Sequence, residues 1–550
     1  MRALAFLLCL LSAQAWAEEL WVCGTGAGAA DGTSLANCWN NAVTFGTGAG
    51  QFGRGDTLHV CGTAADPVDA TITVASVGAF DGTVNADTDI VEIDGLASKC
   101  GGTQGVIANI TGNGIIASGI AALKVHDLTI QDVTASGVSQ LFSASSSCAI
   151  GQAYPCGCSN IYNITGYRVG TASGSTINVG ASGNTTFPAT AVPGICGINN
   201  TGYDSGGSTY RKRLNTTGAV IRGNVDYRGG GVTNTWPIYA AGVTLNCGVA
   251  NSGAGVTWTQ VSGTVYRTLQ TSCGATSGAS IIGVDVGSPA AGVTQILTLD
   301  GACTSDGTCG TLTAGSYGIN TGTNTVWINK GSQPLATAAV DLIYARASYT
   351  KMQDNQAYQP DDAFDGVGMG IDFGEDYGTI SGGYVEDAPT YGFAMGRGNT
   401  GTTIRSSISN RAGTAAVNAV GTGSVENVSS AGSATLVRAL VYTGETLTVK
   451  NSGGADISTL VSDTVGKGTI TQTANSSATP GFIGGTAPAT AAGFCLDDDS
   501  ALIGAGTYIG AYVEDYYGHD LGKPPNIGAL GPCMGRHAAQ TRPAAAGRTQ

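Results

Sequence analysis

The chain of 550 residues holds 87 glycines and 15 prolines, and only 11% of it is charged, where ordinary soluble domains carry about 7% glycine and about 25% charged residues. The glycines have no period of three, which excludes collagen, and 42% apolar residues exclude a disordered chain. Glycine and threonine in place of Lys, Glu and Arg exclude a mainly helical protein, so a large, turn-dense β protein remains.

Residues 1–17 read as a secretory signal: Arg2, an apolar run from Ala3 to Leu11, then Ala15-Trp16-Ala17 as a cleavage site. The run is too short to span a bilayer, and no later stretch is apolar enough to do so. Fourteen of the 15 cysteines follow that segment. An even number in a secreted chain predicts disulfides, with Cys303–Cys309 closing a local loop and Cys495–Cys533 tying down the C-terminal part. These features predict a secreted protein, extracellular or periplasmic. The net charge of −14 comes without a basic stripe, which excludes a nucleic-acid binder. His59, His126, His519 and His537 are too scattered for a zinc site by spacing.

Residues 18–235 read as an N-terminal cap and first coils, with strands at Leu58-His-Val60, Ile90-Val-Glu-Ile93-Asp, Leu123-Lys-Val125-His and Ile161-Tyr-Asn-Ile164. Over 236–347 the rhythm changes to a strand-rich insertion with hairpin turns. Regular coils follow over 348–475, where Ile380, Ile404, Val425, Val449 and Ile470 recur every 21 or 24 residues. A second series, Ile371, Phe393 and Val417, recurs beside it. Two short strands per roughly 22 residues, joined by glycine-rich turns, is the arithmetic of a parallel β-solenoid.

With the anchors inward, Ser381, Arg405, Glu426, Lys450 and Thr471 form an outward, charge-alternating column. The next column, Gly382, Ser406, Asn427, Asn451 and Gln472, predicts a ladder of stacked amides. Residues 476–535 read as a closing segment and 536–550 as a disordered tail.

At this point the chain resembles the secreted right-handed parallel β-helix proteins, the superfamily that contains pectate lyases. The start carries the resemblance in Leu20-Trp-Val-Cys-Gly-Thr-Gly, Asp31-Gly-Thr, Trp39-Asn-Asn-Ala and Gly55-Asp-Thr-Leu-His-Val. The end carries it in Pro480-Gly-Phe, Ile509-Gly-Ala and Pro525-Asn-Ile-Gly-Ala. The resemblance implies an all-β fold, a right-handed parallel β-helix interrupted by the insertion. Its motifs belong to the fold, and no catalytic signature accompanies them.

Candidate chemistry gathers where acidic residues cluster. A lyase on uronate polymers needs a cation, commonly Ca²⁺ on several carboxylate oxygens, and a base for the acidified C–H. Asp372, Glu375 and Asp376 are the candidate cation ligands, and Arg397, Lys351 or Arg405 the candidate base. Asp362 and Asp365, with Tyr377, Tyr384 and Tyr391, are candidates for holding sugar. Aligning Ile371 with Phe393 also puts Glu375 under Arg397, a cross-coil ion pair that needs no function. A hydrolase would need only two carboxylates among Asp362, Asp365 and Asp372.

Two readings stay open. One is a polysaccharide-active β-helix protein, with cation-assisted elimination on an acidic glycan favoured over hydrolysis. The other is a non-catalytic carbohydrate-binding, adhesin or surface-structural protein. Both make a polysaccharide or cell-surface glycan the partner.

Overall fold

The computed structural model describes residues 18–532 except for internal stretches, among them 46–54, 149–157, 182–191, 230–237, 247–257, 270–282, 361–365, 372–374 and 397–400. Residues 1–17, expected to be a signal, and 536–550, expected to be a tail, lie outside the described residues.

Each coil crosses three faces, not the two strands expected from the repeat. Among the described residues the faces are parallel sheets of 14, 10 and 12 strands. The chain visits them in turn, for example through Leu123–His126, Leu128–Val133 and Val138–Phe142, before pairing the next coil on top. The third strand escaped the periodicity because runs such as Gly453–Ala455 carry almost no apolar signal. The result is an all-β, right-handed parallel β-helix, the hand that parallel crossovers take in nearly all proteins.

Alternation sends one column of each face inward. Ile380, Ile404, Val425 and Val449 are fully buried, and the first three steps of the anchor series pair as expected. Each such side chain contributes about 1.5–3 kcal/mol by burial. The fifth anchor is displaced: Ile470 pairs with Leu447, and Val449 faces Gln472. In the second series Met369, not Ile371, lies under Phe393. Ile371 pairs with Met395 instead. Glu375 pairs its backbone with Ala347 in a separate four-stranded sheet, and Arg397 lies outside the described residues.

Arg405, Glu426 and Lys450 do sit directly over one another. The predicted amide ladder does not form where it was placed. Gly382, Ser406, Asn427 and Asn451 occupy the bend between two faces with φ of 59°, 46°, 52° and 48°, a left-handed conformation that Gly and Asn adopt at low cost. Asn427 is buried with neither amide atom hydrogen-bonded. Asn451 instead bonds the backbone of Thr507 through both amide atoms.

A ladder of buried amides exists one position later and earlier in the chain. Asn200, Asn224 and Asn355 stack, and Asn224 Nδ2 donates to Gly197 O and Asn355 Oδ1, both at 3.0 Å. Its own Oδ1 accepts from Asn200 N–H at 3.0 Å.

Among the described residues an eight-stranded, mainly antiparallel sheet drawn from Val243–Asn246 to Ala339–Ala345 interrupts the coils. The helix closes over it: Ile238–Ala241 pairs directly with Val367–Ile371. At the C-terminal end, Phe482, Phe494, Leu502, Tyr516 and Ile527 pack on Tyr384, Ile408, Ala431 and Ala455, covering the outer side of the last four strands of the ten-stranded face. Disulfides join Cys23–Cys38, Cys61–Cys100 and, as expected, Cys303–Cys309. Cys495 is also disulfide-bonded, while Cys533 lies outside the described residues. Among the described residues, no helix is long and apolar enough to cross a membrane.

Candidate functional site

Two outward surfaces carry chemistry. The first is a ridge where the short sheet of Thr216–Thr217, Ala347–Ser348 and Glu375–Asp376 turns into the 14-stranded face. The turning residue in successive coils is Gly218, Tyr349, Tyr377 and Gly401, with φ of 73°, 57°, 54° and 68°. Glycine accepts that backbone freely, whereas a residue with a β-carbon is strained in it by about 1–2 kcal/mol. Two tyrosines nevertheless occupy it, 53% and 50% exposed. Their rings stack at 5.3 Å and 13°. Gly401 closes the outer side, since a β-carbon there would lie 2.7 Å from Tyr377 Cδ1.

Three residues expected from the sequence lie on strands along this ridge. Lys351 is exposed two residues after Tyr349 and pairs across to Thr379. Asp376 precedes Tyr377 and is half-buried, and Glu375 shares its strand. Arg405 lies two coils on, about 10 Å along the axis, on the outward side over Ser381. Asp362, Asp365, Asp372 and Arg397 lie outside the described residues.

Two predicted sugar contacts have other surroundings. Tyr384 is 2% exposed, beneath the closing segment. Its hydroxyl donates to Glu386 Oε2 at 2.8 Å, and burial pushes its pKa up. Tyr391 is half-buried beside Val367 and Ala394, with the Arg438 guanidinium 5.7 Å over its ring.

The second surface escaped the sequence reading. In the first coils the outer column of the 14-stranded face reads Trp21, His59, Asp94, His126 and Tyr162. Two residues earlier runs Glu19, Thr57, Glu92 and Lys124. His59 Nδ1 lies 2.9 and 3.0 Å from the two Asp94 oxygens, and Leu96 N–H donates to the same carboxylate. His126 Nε2 meets Glu92 Oε1 at 2.7 Å and its Nδ1 meets Asp127 Oδ2 at 2.7 Å. Its ring stacks on Tyr162 at 4.5 Å and 6°. Lys124 Nζ reaches the same Glu92 oxygen at 2.7 Å, and Lys99 pairs with Glu19 at 2.8 Å.

The electrostatics follow from these contacts. The hydrogen bond from His126, helped by Lys124 and opposed by burial, holds Glu92 down at about 2. Burial alone would lower His126, but its hydrogen bonds to Glu92 and Asp127 outweigh that and raise it. Burial, with the charges of Glu92, Asp127 and Asp94, raises Tyr162. Glu92, Asp94 and His126 also present ligand atoms within 4.8 Å of one another. Histidines set 35 and 32 residues from Asp94 give no recognisable spacing. The alternation within each strand was visible, but loops of different length hid which positions stack.

No family model matches the chain, and no curated protein matches it. Among solved structures it is similar to pectate lyase Pel9A, at 12% identity and a TM-score of 0.32, covering 94% of this chain and 96% of that one. It is also similar to a GH136 lacto-N-biosidase from Eubacterium ramulus, at 10% identity and a TM-score of 0.27 over 83% and 67% of the two chains. The catalytic domain of a GH87 alpha-1,3-glucanase in complex with tetrasaccharides matches at 9% identity and a TM-score of 0.26, over 84% and 69%. The functional reading rests on this chain's own geometry.

Proposed function

We propose that the protein is a secreted, polysaccharide-active β-helix protein that takes an acidic glycan along the Tyr349–Tyr377 ridge. The observation that carries this reading is the stacked, half-exposed tyrosine pair in a backbone conformation that glycine holds in the coils on either side. Strain of this kind collects at functional sites, and aromatic side chains offer sugars an apolar surface with a polar tip. Lys351 on the same ridge supplies positive charge for a uronate carboxylate.

Elimination is the favoured reaction. Asp372, Glu375 and Asp376 would hold a Ca²⁺ that neutralises the uronate carboxylate, and Lys351, Arg405 or Arg397 would take the acidified proton. Disulfides fit an oxidising compartment. Incubation with uronate polymers and Ca²⁺ should release unsaturated products that absorb in the ultraviolet, with Lys351→Ala and Tyr377→Ala both impaired. Absence of products across a broad panel of acidic glycans sinks the catalytic reading.

A second reading, a binding or surface-structural protein, is favoured by a different feature. Tyr167, Tyr203, Tyr227 and Tyr358 stack ring on ring at 4.8–4.9 Å along the ten-stranded face. That repetitive face fits an extended partner better than a single cleaved bond. Glycan-array binding without turnover would favour it.

A further inference from the structure

We propose that Glu92, Asp94 and His126 form a binding site for a divalent ion of the zinc class. The site lies in the first coils, four strands along the 14-stranded face from Lys351 and apart from the tyrosine ridge.

The three ligand atoms lie within 4.8 Å of one another, and ligands about 2.0–2.2 Å from one tetrahedral ion stand roughly 3.5 Å apart. Small side-chain rotations therefore close the site. Two of the three ligands are already held from behind. Asp127 Oδ2 takes His126 Nδ1 at 2.7 Å, which leaves Nε2 facing Glu92. This carboxylate–histidine arrangement fixes the tautomer of metal-binding histidines. Asp94 is held by His59 Nδ1 and Leu96 N–H.

Charge points the same way. Glu19, Glu92, Asp94 and Asp127 face two lysines, Lys99 and Lys124, so the lysines balance only two of the four carboxylates. Asp94 and His126 are 1% and 3% exposed, and buried charge is tolerated only when paired or metal-bound. The protein's own groups do not saturate the column: His59 Nε2 is 2% exposed, lacks a hydrogen-bond partner, and stands 3.6 Å from Glu19 Oε2. One divalent ion would replace the Lys124 ammonium and a His126 proton at Glu92. An imidazole nitrogen beside only two carboxylates suits zinc, cobalt or nickel, whereas calcium takes six to eight oxygens.

Lys124 is the internal competitor, because its ammonium occupies Glu92 Oε1. It is one-third exposed and can swing into water when an ion arrives. Bound metal would then cross-link two adjacent coils, Val91–Asp94 and Leu123–His126.

The test uses the chelator-treated mature chain, titrated calorimetrically with Zn²⁺ and Ca²⁺, together with the absorption spectrum of the Co²⁺ form. We expect saturable binding of one Zn²⁺ per chain that excess Ca²⁺ does not displace, a raised Tm, and Co²⁺ bands of a low-coordinate nitrogen–oxygen site. Glu92→Gln and His126→Gln should each weaken Zn²⁺ at least about tenfold, as should Asp127→Asn through the histidine. Lys124→Met should bind more tightly than the parent. A wild-type Co²⁺ spectrum identical to the hydrated ion, or no stoichiometric Zn²⁺ binding, overturns the proposal without recourse to any variant. Zn²⁺ affinity unchanged in folded Glu92→Gln and His126→Gln does so as well.

Discussion

Tyr349 and Tyr377 lie one coil apart with their rings parallel within 13°, both on left-handed backbone and both about half exposed. Neighbouring coils solve the same bend with Gly218 and Gly401. Tyr377→Gly should therefore relieve about 1 kcal/mol of backbone strain and forfeit about 0.5–1.5 kcal/mol of ring stacking. Stability should stay within about 1 kcal/mol of the parent in urea unfolding while glycan binding falls. A large loss of stability with binding intact would make the pair structural.

Asn224 sits in the middle of the buried amide ladder. Asn224→Ala strips the acceptor from Asn200 N–H and the donors from Gly197 O and Asn355 Oδ1. Each buried group left unpaired costs about 1–3 kcal/mol, so the variant should lose about 2–5 kcal/mol in denaturant unfolding. A change under 1 kcal/mol would mean that water replaces the amide.

Asp226 gives the fold a pH dependence. It is fully buried, and burial pushes its carboxyl up to about 7 despite hydrogen bonds from Thr209 Oγ1 at 2.5 Å and Gly229 N–H at 2.9 Å. In the native protein it holds its proton across a range where the unfolded chain, with a carboxyl near 3.8, has released it. Its contribution is therefore complete below about 3.8 and declines as pH rises, until it is lost above about 7. The difference is on the order of 4 kcal/mol. Asp226→Asn should flatten this slope between about pH 4 and about pH 7 in thermal unfolding, and stabilise the protein at the alkaline end. An unchanged slope would assign the pH dependence to other groups.

Arg411 offers the contrasting case. Its guanidinium forks onto Asp387, at 2.6 and 3.0 Å, and also reaches Glu386. At 40% exposure, such a pair contributes about 0–1 kcal/mol. Arg411→Ala should shift stability by no more than that, with a smaller effect in high salt. A loss above 2 kcal/mol would show that the turn depends on it.

The sequence by itself determined the solenoid. Apolar anchors at a nearly constant interval, separated by residues that tolerate tight bends, leave few alternatives to stacked coils, because both signals are local. Ile380, Ile404, Val425 and Val449 were legible for that reason, and so was the local Cys303–Cys309 bridge. The two-residue slip at Ile371, which pairs with Met395 and not with Phe393, was not legible, since a shift of two preserves the facing of every side chain and leaves no hydrophobic penalty to betray it. Only the tertiary structure decided which positions stack in the early coils, where loop length varies. His59, Asp94 and His126 meet there through strand register alone. Register also turned Tyr349 and Tyr377 into a stacked pair and put Tyr384 under the closing segment. Composition and periodicity carry the backbone path; the charges and rings that meet across coils depend on distances along the axis that the linear chain does not encode.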